Sequence, residues 1–155
     1  MAVDAALRRQ LTTLGALDHC LFLTAKRGRN GCAVLRELVH SRAGIQGTPE
    51  SPLESVILDM IVSSNLPTPL LQHNIFGPDG KFIARPDFVY PDAKLVIQGH
   101  SKQFHWGLEA ETKDLEQHNR LCALGYHVVY VTWADATTHA TRTIGLISDR
   151  LRLAA

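Results

Sequence analysis

Residues 81–105 read KFIARPDFVYPDAKLVIQGHSKQFH, and two strand-like runs within them decide how the rest of the chain is arranged. Side chains alternate across a strand, so Ile83, Arg85, Asp87 and Val89 share one face of the first run, while Phe82, Ala84, Phe88 and Tyr90 take the other. This alternation predicts that Asp87 lies within a strand rather than in a turn. In the second run Val96, Gln98 and His100 face opposite to Leu95, Ile97 and Gly99, so Gln98 and His100 are expected to project toward the place Asp87 reaches. Tyr90-Pro91-Asp92-Ala93 supplies a tight connection from turn-forming residues. Aspartate is disfavoured on a half-buried strand, and its presence at position 87 points to function rather than packing.

Upstream, residues 70–76 alternate as a strand, and Gly77-Pro78-Asp79-Gly80 turns it back into the Asp87 strand as a hairpin. Before that strand a helix is signalled by Ser51 as N-cap, Pro52 at the first helical position, and Glu54 where its carboxylate reaches the N-cap amide. Leu53, Val56, Ile57, Met60 and Ile61 form its apolar stripe. Glu54 therefore has two readings, a capping residue or an acid of a site. Downstream, residues 106–124 have helical spacing, with Leu108, Leu115, His118 and Cys122 along one side. Residues 127–133 are apolar almost throughout and predict an inner strand buried on both faces. Asp135 is placed to cap a last helix carrying Ala140, Ile144, Ile147 and Leu151.

The first 47 residues read as a helical segment, with apolar positions Val3, Leu7, Leu11 and Leu14 followed by the run 16–25. Lys26, Arg27 and Arg29 then fall on a glycine-containing loop. This loop is either a solvated connection or a phosphate-contacting segment. Residues 48–155 form the second unit, so the fold class is α/β with a mixed sheet preceded by short N-terminal helices.

A length of 155 residues, 45% apolar and 20% charged, suits a soluble globular domain. A net charge of +1 excludes a global basic field, so any nucleic-acid contact must come from local clusters. Three cysteines without a CxxC pair argue against a zinc site and for buried, reduced thiols in a cytoplasmic protein. No membrane span or signal peptide is expected.

Three acids, Glu54, Asp87 and Asp114, fall where this order could bring them together, and paired carboxylates suit a hard cation such as Mg²⁺. ESPLE at 50–54, PDFVYPDAKLVIQ at 86–98, Phe104-His105, and the stretch from Asp114 to GYHVVYVTW resemble the very-short-patch-repair-like endonuclease family of the PD-(D/E)XK, restriction-endonuclease-like superfamily. Residues 1–47 are similar to the helical segment that follows a winged helix in actinobacterial abortive-infection-antitoxin-like proteins. The resemblance implies an αβββαβ core and Mg²⁺- or Mn²⁺-dependent hydrolysis of DNA phosphodiesters. It matches Glu54, Asp87, His105 and Asp114 to family positions, Asp87 as the metal-ligating aspartate. In an active chain Asp87 and Glu54 are expected to hold the metal with help from Gln98, while His100, Lys102 or His105 orients water or stabilises developing charge. Lys26, Arg27, Arg29 and Lys102 are the expected phosphate contacts, and a homo-oligomer or a separate winged-helix chain are the further partners it raises.

The chain departs from the family where it matters most. Gln98-Gly99-His100-Ser101 stands where the family reads Glu-x-Asp-Gly, and Gln117 stands where an arginine is usual. Gln98 keeps an oxygen donor but no charge, and His100 is neutral or positive near pH 7. The expectation is a weakened or inactive nuclease, or a non-catalytic nucleic-acid-binding or interaction protein that retains the fold.

Overall fold

The structure is a computed structural model that describes residues 2–24, 30–45, 47–100 and 108–154. Three helices come first, α1 (Ala2–Arg8), α2 (Leu14–Thr24) and α3 (Cys32–Arg42), followed by α4 (Pro52–Ser63). The first apolar stripe overestimates α1: the helix stops at Arg8, Gln10 turns left-handed at φ 55°, and Leu11 is 73% exposed. What α1 buries is Asp4, whose Oδ1 accepts a hydrogen bond from Arg42 Nε at 3.2 Å, while Arg42 Nη2 reaches Asp59 of α4 at 2.7 Å. Burial works against the Arg42 charge, but Asp4 and then Asp59 outweigh it and raise its pKa. This ion cluster ties α1 and α3 to α4.

Ser51 caps α4 as expected, accepting from the Glu54 amide at 3.2 Å with Pro52 in the first turn. Leu53, Ile57, Leu58 and Ile61 are buried along its inner side.

Both long strands read from the sequence are broken. Residues 70–76 divide into β1 (Leu70–Leu71) and β2 (Ile75–Phe76), and residues 82–90 into β3 (Phe82–Ala84) and β4 (Phe88–Tyr90). Asp87 consequently lies on the bend just before β4, not inside a strand. The cause is Pro86, which has no N–H to give a ladder, matched across the hairpin by Gln72 at a left-handed φ of 52°. The hairpin itself stands, bent in the middle: β2 pairs antiparallel with β3, and β1 antiparallel with β4.

The main sheet has the order β1-β4-β5-β6, with β5 (Leu95–Gly99) antiparallel to β4 and parallel to β6 (His127–Val131). Between them runs α5 (Leu108–Ala123), and α6 (Trp133–Thr137) and α7 (Ala140–Leu153) close the chain. The fold is thus mixed α/β, with seven helices among the described residues. Phe88, Tyr90, Leu95, Ile97, Val129 and Val131 pack one sheet face against α4, α6 and α7. Val89 and Val96 on the other face meet Leu121 of α5.

Four further expectations are corrected. Among the described residues β6 is an edge strand, and only one face is fully buried: Val129 and Val131 point inward, while on the other face Val128 packs half-buried against the Leu121 cluster and Tyr130 is 49% exposed. Asp135 is not an N-cap; Thr132 caps α6, and Asp135 completes the capping box from the third helical position. Among the described side chains of α5, Leu121 enters the core, whereas Leu115 is 58% exposed; the Leu108 side chain of the expected stripe lies outside those described. Cys20 and Cys122 are exposed and Cys32 half-buried, because each sits on an outward-facing side of its helix. No described helix is long and apolar enough to cross a membrane.

Candidate active site

Glu54 occupies the first turn of α4 and is buried to 7% exposure. Its Oε2 accepts from the backbone N–H of Glu50 at 2.6 Å and from Gln72 Nε2 at 3.0 Å. The carboxylate thus bypasses the Ser51 amide that a capping box would use, and bends toward the end of the sheet where β1 meets β4.

Asp87 arrives at the same place from the bend before β4. Its Oδ1 accepts from Gln72 Nε2 at 3.3 Å and its Oδ2 from the Gly99 amide at 2.8 Å. Gly99 allows this close approach: a Cβ there would lie 3.4 Å from Asp87 Oδ2 and also against Leu53 and Ile57. Burial, then the negative charge of Glu54, pushes the Asp87 carboxyl up to about 6, against the hydrogen bonds from Gly99 and Gln72. Two acids within electrostatic reach, one half-protonated near pH 6, are poised to gain from a shared cation. Just outside, Arg85 pairs with Glu50 and donates from Nε to the Gln72 carbonyl at 3.3 Å.

A cavity of about 290 Å³ opens beside the acids, and Glu54, Asp87, Gln98 and His100 all line it. Asp114, Gln117, His118 and Leu121 of α5 form the facing wall, with Tyr130 of β6 at its side. His100 is exposed, and its N–H extends the ladder to the Val131 carbonyl at 2.8 Å. A larger cavity of about 550 Å³ beside α1 gathers none of the predicted site residues, and its charged lining, Asp4 and Arg42, is already joined as an ion pair. The smaller cavity is where the chemistry converges.

Lys26, Arg27, Arg29, Lys102 and His105 lie outside the described residues. Among those described, no group of three or more His, Cys, Asp or Glu side chains is arranged to hold a metal ion. Glu54, Asp87 and the Gln98 amide offer oxygen donors on one side of the cavity, and the Asp114 carboxylate stands on the facing wall. A Mg²⁺-type cation is commonly held by one or two carboxylates with water and phosphate completing its shell, so this donor set fits such an ion, with no third carboxylate grouped beside the first two among the described residues.

Three residues of the site went unread in the sequence. Gln72 is the first, hidden because the bend in the hairpin was not legible. The others are His118 and Tyr130, with His118 Nδ1 3.1 Å from the Tyr130 hydroxyl, their rings stacked, and Cys122 Sγ 3.4 Å from His118 Nε2. Burial, then Asp114 and Cys122, raises the Tyr130 pKa. The available signal was the spacing of Asp114, Gln117, His118 and Leu121, which puts all four on one helix face.

No family model matches the chain, and no solved structure is a significant match. It is similar to two curated sequences of Mycobacterium tuberculosis, the uncharacterized protein Rv2248 and, from a second strain, the uncharacterized protein MT2308. Each is 30% identical over 155 residues, which cover 98% of this chain and 55% of the relative. The chain spans about half the length of the curated relatives it matches.

Proposed function

We propose that the chain is a restriction-endonuclease-like domain with a weakened divalent-metal site, acting on DNA phosphodiesters. The observation that carries this reading is the convergence of Glu54 and Asp87 at one end of the sheet, close enough for the Glu54 charge to raise the Asp87 pKa. The order α4, β1, β4, β5, α5, β6, with three antiparallel strands and a last one parallel to the third, supports the αβββαβ core that the sequence resembles.

A bound Mg²⁺ or Mn²⁺ would supply Lewis acidity and an activated water for in-line displacement at phosphorus. Asp87 and Glu54 are the residues to hold it, with the Gln98 oxygen as a neutral third donor. Asp87 must be ionised to do so, and with its carboxyl pushed up to about 6 a cation competes there with a proton as the pH falls. His100, exposed at the cavity, can accept a proton from water or contact a phosphate oxygen. Gln98 and His100 in place of two acids lower the negative charge and with it the affinity for the cation.

The test is nicking of supercoiled plasmid by the whole chain in Mn²⁺, beside Asp87→Ala. Slow nicking that needs both the metal and Asp87 is expected. Equal nicking by the variant would sink the assignment. Asp114 lines the cavity but, among the described residues, no three acids or histidines are grouped to hold a metal, which favours a second reading, a nucleic-acid-binding domain without catalysis. On that reading DNA binding falls steeply with salt and no nicking occurs at any metal concentration.

A further inference from the structure

Between the two acids sits the side-chain amide of Gln72, with Nε2 3.0 Å from Glu54 Oε2 and 3.3 Å from Asp87 Oδ1. Only the NH₂ end of an amide can satisfy two carboxylates at once, since it alone carries two donors. A cation bridging the same two oxygens would need to lie about 2.0–2.6 Å from its ligands, in space the amide nitrogen already fills. We infer that Gln72 is a stopper in the cation site, a neutral amide that any divalent ion must displace, and that it sets the affinity of the site.

The backbone at this position is held so that the side chain points inward. The Gln72 N–H donates to the Asp87 carbonyl at 3.0 Å, and its own carbonyl accepts from Arg85. It keeps a φ of 52°, a conformation uncommon for a residue with a side chain, and such conformations persist only where the surroundings enforce them. An amide held by its main chain between two acids competes with a cation for them. Entry of the ion breaks two hydrogen bonds to charged oxygens, each stronger than a bond between neutral groups.

This inference rests on the reading of Glu54 and Asp87 as cation ligands, and the experiment separates the two. Mn²⁺ is titrated calorimetrically at pH 8, where Asp87 is ionised, into the natural chain, Gln72→Gly, Gln72→Met and Asp87→Ala. Glycine suits the left-handed backbone, so Gln72→Gly carries the test if Gln72→Met does not fold. Both Gln72 variants are expected to bind Mn²⁺ roughly tenfold more tightly, the equivalent of about one charge-assisted hydrogen bond. Binding by Gln72→Gly where the natural chain shows none supports the inference equally. Asp87-dependent binding by the natural chain, with the Gln72 variants no tighter, overturns the stopper and leaves the metal reading standing. No binding by any of the four overturns both.

Discussion

Asp87→Asn should stabilise the protein above pH 6 and lose that advantage as the pH falls. In the folded chain the Asp87 carboxyl is pushed up to about 6 from the ordinary 3.8, first by burial and then by Glu54. A raised folded-state pKa means that between about pH 4 and 6 the folded state binds more protons than the unfolded state, so stability declines as pH rises through that window. The difference between the two pKa values corresponds to about 3 kcal/mol at full ionisation. Asparagine removes the charge but puts a donor where Gln72 or Gly99 already donates, which takes back about 1 kcal/mol. A net gain of about 1–2 kcal/mol at pH 8 is therefore expected, vanishing or reversing below pH 4.5. Urea denaturation of both proteins at half-unit intervals from pH 4.5 to 8, read as midpoints at constant slope, measures it. Millimolar Mn²⁺ at pH 8 should raise the midpoint of the natural protein and leave Asp87→Asn unmoved. A variant less stable at pH 8, or a difference independent of pH, would refute the electrostatic account of this pair.

Gln98→Glu with His100→Asp restores the two missing acids, and Mn²⁺ affinity measured calorimetrically at pH 8 should rise at least tenfold; unchanged affinity would show that these positions do not face the ion. Arg42→Met leaves Asp4 buried without its guanidinium, and a loss of about 3–5 kcal/mol in urea is expected, against less than ~1 kcal/mol if the cluster is incidental. Gly47→Ala combines a φ of 99° with a Cβ only 2.9 Å from that of Leu71, which should lower the melting temperature clearly. Gly125→Ala, at a φ of 83° but with no atom within 4 Å of the added Cβ, should cost less.

The elements were more legible in the sequence than the breaks between them. Ser51-Pro52 marks the start of α4 because its signal is local: a hydroxyl, a fixed φ and a following apolar stripe. The alternation of 95–99 likewise gives β5, since the run is short and its two faces are both covered. Pro86 was the overlooked sign. It divides the strand at Asp87, and the division moves the carboxylate off the pleated ladder and toward Gly99. Gln72 could not be found by pattern, because its role depends on a partner bend across the hairpin and on a left-handed backbone that no residue type announces. Leu115 and Leu121 show the limit of helical spacing, which ranks faces by apolarity, whereas α5 turns a partly polar face toward the cavity. The acids themselves were readable by chemistry, an aspartate in an apolar run and a glutamate at a helix start, but their relation came only with the fold.

The most direct measurement is the anomalous difference density of crystals of the whole chain soaked in Mn²⁺ at pH 8. A single peak within coordination distance of both the Glu54 and Asp87 carboxylates, with the Gln72 amide displaced from between them, is the expected result. Absence of a peak there at saturating Mn²⁺, with the Gln72 amide still bridging the two acids, would contradict the claim that this pair is a cation site.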